Sequence, residues 1–115
     1  MRVTTDLWVS ALVRRVFGTS GFAAVVQRGA TEAGAVFVLV RDRLGQVTLY
    51  GPAPQTSYDE ARPDERFFSL LLANADAGAV DARLEKEKRF DPDIWMVEIE
   101  AGSVPVEELL ALRTP

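Results

Sequence analysis

Three arginines and four carboxylates are the side chains through which this sequence could do chemistry. Arg14 and Arg15 are adjacent, and Arg28 follows the apolar run Phe22–Gln27. A guanidinium is a planar, permanently charged fork that suits a carboxylate or a phosphate. Asp91 and Asp93 flank Pro92, and Glu98 and Glu100 follow two residues apart. The candidate binding residues are Arg14, Arg15, Arg28, Asp91 and Asp93. No catalytic residue, metal ligand or cofactor is assigned.

The sequence has no histidine and no cysteine. Ser-His-Asp and Cys-His nucleophile systems therefore cannot be built from this chain alone, and neither can cysteine zinc sites, disulfides or iron–sulfur clusters. The order Asp91-Pro92-Asp93 … Glu98-Ile99-Glu100 invites comparison with the Pro-Asp … Glu-x-Lys metal site of restriction-type nucleases. Glu100 stands where that site needs lysine. Asp93 and Glu98 are five residues apart, so on one strand they point to opposite faces. Both aspartates are well explained as turn residues. The glycines are scattered singly at element ends, and no phosphate loop or dinucleotide fingerprint appears.

Charge is unevenly placed on a chain of net charge −4. Residues 1–57 carry six arginines against three carboxylates, and residues 58–115 carry seven basic groups against fourteen acidic ones. Such asymmetry marks either a binding face or charges that pair within one fold. Intramolecular pairing of Arg14, Arg15 or Arg28 with the acidic half, Asp91 or Asp93 for instance, is the simpler reading. Tight nucleic-acid binding is not expected, because few phosphates could be neutralised.

The elements that must position these groups centre on Ala33–Pro52. Val36–Val40 is apolar at both parities, so both faces of this strand should be covered. Arg41–Gln46 reads as a hairpin loop, and Val47–Tyr50 returns as a second strand ending at Gly51-Pro52. Gly34, where the first strand begins, is placed for close backbone approach.

Upstream, Trp8, Leu12 and Val16, with Val9, Val13 and Phe17 beside them, give a wide apolar stripe. The stripe predicts a helix over Asp6–Phe17, with Thr5 or Asp6 as its cap and Gly18 in the left-handed position after it. Alternation through Val9, Ala11 and Val13 would also serve a strand. Phe22–Gln27 reads as a strand. Downstream, the Pro-rich, polar segment Ala53–Glu65 is expected to be the longest loop and the most mobile segment. Arg66–Ala73 returns as a strand, although its leucines would also suit a helix start. Asp76 caps a surface helix over roughly Ala79–Phe90, anchored by Val80 and Leu84. Ile94–Ile99 is the last strand, with Trp95, Val97 and Ile99 on one face. A short helix, Val106–Leu112, follows Pro105. Trp8 and Trp95 sit on regular apolar faces and read as core; Tyr50 and Tyr58 are the aromatics that could be exposed for contact.

At 115 residues and 48% apolar content the chain suits one domain, residues 1–115. No stretch approaches the roughly 20 apolar residues of a spanning helix, and a cytoplasmic protein is expected. The predicted fold is α+β: an antiparallel or mixed sheet of about five strands, with two main helices packed on one face and a short C-terminal helix. Phe90 and Trp95 are expected to dock the second helix at a corner formed by residues 89–95.

Asp6-Leu7-Trp8-Val9, Arg14-Arg15, Arg28-Gly29, Ala33-Gly34-Ala35, Leu49-Tyr50-Gly51-Pro52 and Arg89-Phe90-Asp91-Pro92-Asp93-Ile94-Trp95 occur in this order. In this the chain resembles domain-of-unknown-function family 1491, a family of short bacterial proteins. The resemblance covers nearly the whole chain and implies a compact domain that makes up the whole protein. It implies no activity. The functional expectation is a small non-enzymatic interaction or accessory protein, a homodimer being one form it could take. The alternative is a small enzyme or phosphate- or nucleic-acid-binding protein using arginine and carboxylate groups.

Overall fold

The computed structural model describes residues 3–54 and 65–113. Helix α1 spans Thr5–Gly18. Strands β1 (Phe22–Gln27), β2 (Val36–Arg41), β3 (Val47–Pro52) and β4 (Phe67–Ala75) follow. Helix α2 spans Ala77–Phe90, and β5 spans Trp95–Glu100. A 3-10 turn at Val106–Glu108 leads into β6, Ala111–Leu112. The long loop expected at residues 53–65 lies, except at its ends, outside the described residues, and so does Tyr58.

The six strands form one mixed sheet in the order β1-β5-β2-β3-β4-β6. β2 and β3 make the expected antiparallel hairpin, with Val38 opposite Tyr50 and Val40 opposite Thr48. Its turn is held by Asp42, whose Oδ1 accepts the N–H groups of Leu44 (2.9 Å) and Gln46 (3.0 Å). Gly45 takes φ +83°, a region open to glycine and costly for most other residues. β5 lies between β1 and β2, antiparallel to the first and parallel to the second.

The helices cover opposite faces of this sheet, not one face. Val9, Leu12 and Val16 of α1 pack with Val36, Val38, Trp95, Val97, Ile99 and Phe68. Val80 and Leu84 of α2 pack with Phe37, Leu39, Val47, Leu49, Ile94 and Met96. The cause is the parity of β2 and β5. Successive side chains of a strand point to opposite faces; β2 is apolar at both parities, and Ile94 and Met96 extend its second apolar face beside Glu98 and Glu100, so each face needs its own layer. Trp95 is consequently buried against α1, and Ile94 and Met96 meet α2. Phe90 docks nothing: it is 82% exposed.

The ends of α1 differ from expectation. Thr4 is the cap, its hydroxyl accepting the Leu7 N–H at 3.3 Å. Thr5 is instead buried, donating to Gly34 O at 3.1 Å and accepting from Arg66 Nη2 at 2.6 Å. Gly18 stays helical, and Ser20, at φ 65°, takes the left-handed position. Asp76 caps α2 as expected, with Oδ1 2.8 Å from the Ala79 N–H.

The C-terminal helix is replaced by the 3-10 turn and β6. Leu109 and Leu110 are buried in the α1 layer. Ala111 and Leu112 pair parallel with Phe67 and Phe68, and the Arg113 N–H reaches Phe68 O at 2.8 Å. Open backbone groups on the edge of β4 offered this segment a partner that a two-turn helix lacks. The sheet thereby gains a sixth strand.

Candidate functional site

α1 lies over β1 and β5, and its outer flank carries Asp6, Ser10, Val13, Arg14 and Phe17. These residues recur at helical spacing, so they form one continuous side of a groove. Val25 and Arg28, from β1 and the residue after it, form the other side, with Val9 and Trp95 at the base. The groove has a volume of about 460 Å³.

Trp95 fixes the inner end. It is fully buried, and its indole N–H donates to Ala30 O at 2.8 Å. Gly34 lets the β1–β2 connection close over it. A Cβ on Gly34 would lie 2.8 Å from Trp95 Cδ1 and equally near Ala30 O, a separation that requires something to shift. The Arg28 guanidinium carbon stands 4.8 Å above the Trp95 ring, within cation–π range. Its Nη2 is 2.9 Å from Asp6 Oδ1, in a pair that solvent reaches on both sides.

The five candidate residues are not brought together. Arg14 and Arg28 share the groove. Arg15, next along the helix, turns away and donates from Nη2 to Leu109 O, tying α1 to the C-terminal segment. Arg14 is exposed and has no ion-pair partner among the described residues. Asp91 and Asp93 hold the corner after α2: Asp91 Oδ1 accepts the Asp93 N–H at 3.0 Å, and Asp93 O accepts the Ala30 N–H at 2.9 Å. Neither aspartate meets Arg14, Arg15 or Arg28. The pairing of the basic first half with the acidic second half occurs elsewhere. Arg41 Nε lies 2.7 Å from Glu98 Oε1 across the central strands.

The groove residues missed from the sequence are Asp6, Ser10, Val13, Phe17 and Val25, together with Val9 and Trp95, which read only as core. The i, i+4, i+8 series Asp6, Ser10, Arg14 was the signal available. What joins that series to Val25 and Arg28 is tertiary packing.

The Tyr50 phenol is held away from its ordinary acidity. Burial, aided by the Glu107 carboxylate, pushes its phenol above the usual value of 10.0. It lies away from the groove and serves packing. Among the described residues no group of three or more carboxylates is gathered in a way that could hold a metal ion. No described helix is long and apolar enough to cross a membrane.

The model of a protein family of unknown function, DUF1491, matches residues 3–105 of the chain. The solution structure of protein Atu0922 from A. tumefaciens is 47% identical, with a TM-score of 0.86, covering 100% of this chain and 98% of that one. The crystal structure of a DUF1491 family protein from Caulobacter crescentus CB15 is 34% identical, with a TM-score of 0.76, covering 96% of this chain and 99% of that one. The NMR structure of a DUF1491 family protein from the same organism gives 34% and 0.76, with 98% of each chain covered. Comparison with curated proteins gave no match.

Proposed function

We propose, from the premise that this chain belongs to the DUF1491 family of proteins of unknown function, that it is a non-enzymatic interaction protein and that the α1–β1 groove is its binding site. The ligand has an apolar body and one acidic group. The observation that carries this reading is the pairing of an apolar groove with a guanidinium on its rim that has no ion-pair partner among the described residues. Val9, Val13, Phe17 and Val25 supply apolar surface, and Arg14 supplies the charge. Arg28 is already committed to Asp6 and to the Trp95 ring, so it shapes the inner end. A concave, mostly apolar site with few, well-placed polar groups is what small ligands and peptide side chains require. The remaining candidate carboxylates support binding over catalysis, because Asp91 is engaged in a turn and Glu98 in an ion pair. A cytoplasmic location belongs to the same proposal.

The test is a titration of the ¹⁵N-labelled protein with 4-phenylbutyrate, followed by amide chemical shifts. Shifts should concentrate in α1 and around Val25. They should weaken in Arg14→Ala and be weaker again for 4-phenylbutanol, which lacks the charge. Shifts that map elsewhere, or that are equal in Arg14→Ala, overturn the reading.

A further inference from the structure

We propose that the occupant of this groove is an extended acidic peptide that adds as a seventh strand to the free edge of β1; this rests on the reading of the groove given above. Among the described residues β1 is the end strand of the sheet and pairs only with β5. Its other edge therefore presents alternate N–H and C=O groups outward. Exposed edges are ordinarily guarded by lysine, proline, inward charges or a covering element. The sequence Phe22-Ala23-Ala24-Val25-Val26-Gln27 has no lysine, proline or charge, and its regular edge runs from Phe22 to Val25, before the register shift between Val25 and Gln27. Phe22, Val25 and Val26 are 50%, 37% and 58% exposed, so the edge is apolar on both faces.

The groove supplies what a bare edge lacks, which is selectivity. A strand laid along β1 runs between that edge and the flank of α1. Every second side chain of the added strand points into the groove, toward Val13, Phe17 and Val25. Main-chain hydrogen bonds then give affinity, and the pockets for alternate side chains give specificity. Arg14, on the rim, selects an aspartate or glutamate in that strand, because arginine's fork matches a carboxylate.

Charge decides against a second copy of this chain as the occupant. The segment Thr19–Thr31 contains Arg28 and no carboxylate. A β1 strand from another copy would therefore bring no carboxylate to Arg14, and its own Arg28 is already paired with Asp6.

The experiment selects random octapeptides displayed on phage against the intact protein. The best sequence is then synthesised and its affinity measured by fluorescence polarisation. Selected peptides should carry apolar residues two positions apart and at least one aspartate or glutamate. Arg14→Glu, at an exposed position, should weaken binding about tenfold or more while leaving the melting temperature unchanged. Methylating the peptide's backbone nitrogens one at a time should abolish binding at alternate positions and be silent at those between. A flat methylation scan with Arg14→Glu still weakening the peptide overturns strand addition and leaves the groove reading intact. Peptides that bind Arg14→Glu as well as the parent overturn both, as does the absence of any enriched sequence. Sedimentation showing a dimer that Val26→Glu dissociates overturns the peptide in favour of a second copy.

Discussion

The Trp95 indole N–H and the Ala30 carbonyl meet at 2.8 Å, joining residues 65 apart in the chain. The bond pins the β1–β2 connection onto the start of β5. Gln27 Nε2 on Ile94 O, at 2.9 Å, and the Ala30 N–H on Asp93 O reinforce it. The inner end of the groove is thus built by a buried aromatic and a loop that closes over it.

Replacing that aromatic should be severe. Trp95→Ala removes a fully buried ring and is expected to cost about 3–5 kcal/mol. Urea unfolding at constant slope gives the value. A loss under about 1 kcal/mol would mean that the ring is not the anchor described.

Gly34→Ala should also destabilise, by about 1–3 kcal/mol, although it adds a single methyl group. The added carbon would press on Trp95 and on Ala30 O at once. Gly18→Ala is the control: nothing lies within 4 Å of a Cβ there, and the residue is helical, so that change should be neutral or mildly stabilising. Melting temperatures of the two variants, measured side by side, decide it.

The corner after α2 should separate its two kinds of residue. Phe90→Ala is expected to stay within about 0.5 kcal/mol of the parent, since the ring is largely in solvent. Asp91→Asn retains an oxygen that can accept the Asp93 N–H and should be similarly mild. Asp76→Ala removes a cap and should cost about 1 kcal/mol. Denaturant midpoints that rank Phe90→Ala above Asp76→Ala would contradict the placement of α2.

Tyr50 sets an alkaline limit. Its phenol is held above the usual value in the folded chain, first by burial and then by Glu107. Between the unfolded and folded values the folded chain holds the proton that the unfolded chain has released. Stability is therefore fully present below about pH 10 and falls as pH rises through the raised value. The difference in unfolding free energy between the parent and Tyr50→Phe should narrow over that window. A difference that stays constant with pH would refute the assignment.

Much of the architecture was legible because it depends on local pattern. Asp76, the polar run Arg41–Gln46 and the period-two order of residues 94–99 each fix an element without help from the rest of the chain. The two-sided apolar character of Val36–Val40 already required cover on both faces. Placing both helices on one face conflicted with that requirement, and the structure resolves it in favour of the strand. The end of the chain was not legible. Val106–Leu112 has helix-forming residues, but an open edge on β4 and a pocket for Leu109 and Leu110 outweigh local preference. The groove was half legible. Arg14 and Arg28 stand out by residue type, whereas their meeting depends on α1 lying over β1, which no spacing within either segment encodes.

The position of β5 has a consequence for how the protein is made. Among the described residues β1 has no partner but β5, and β2 needs β5 on its other side. A ribosome delivers β1 and β2 long before it delivers Trp95. Until then the apolar strands Phe22–Gln27 and Val36–Arg41 have nothing between them, and half the sheet cannot zip. Assembly must therefore wait for the last fifth of the sequence to emerge. Closing loops this long is slow, and unpaired apolar strands are vulnerable to aggregation while they wait. A nascent chain stalled before residue 95 should be a client for chaperones, and one stalled after residue 100 and clear of the exit tunnel should protect β1 from protease.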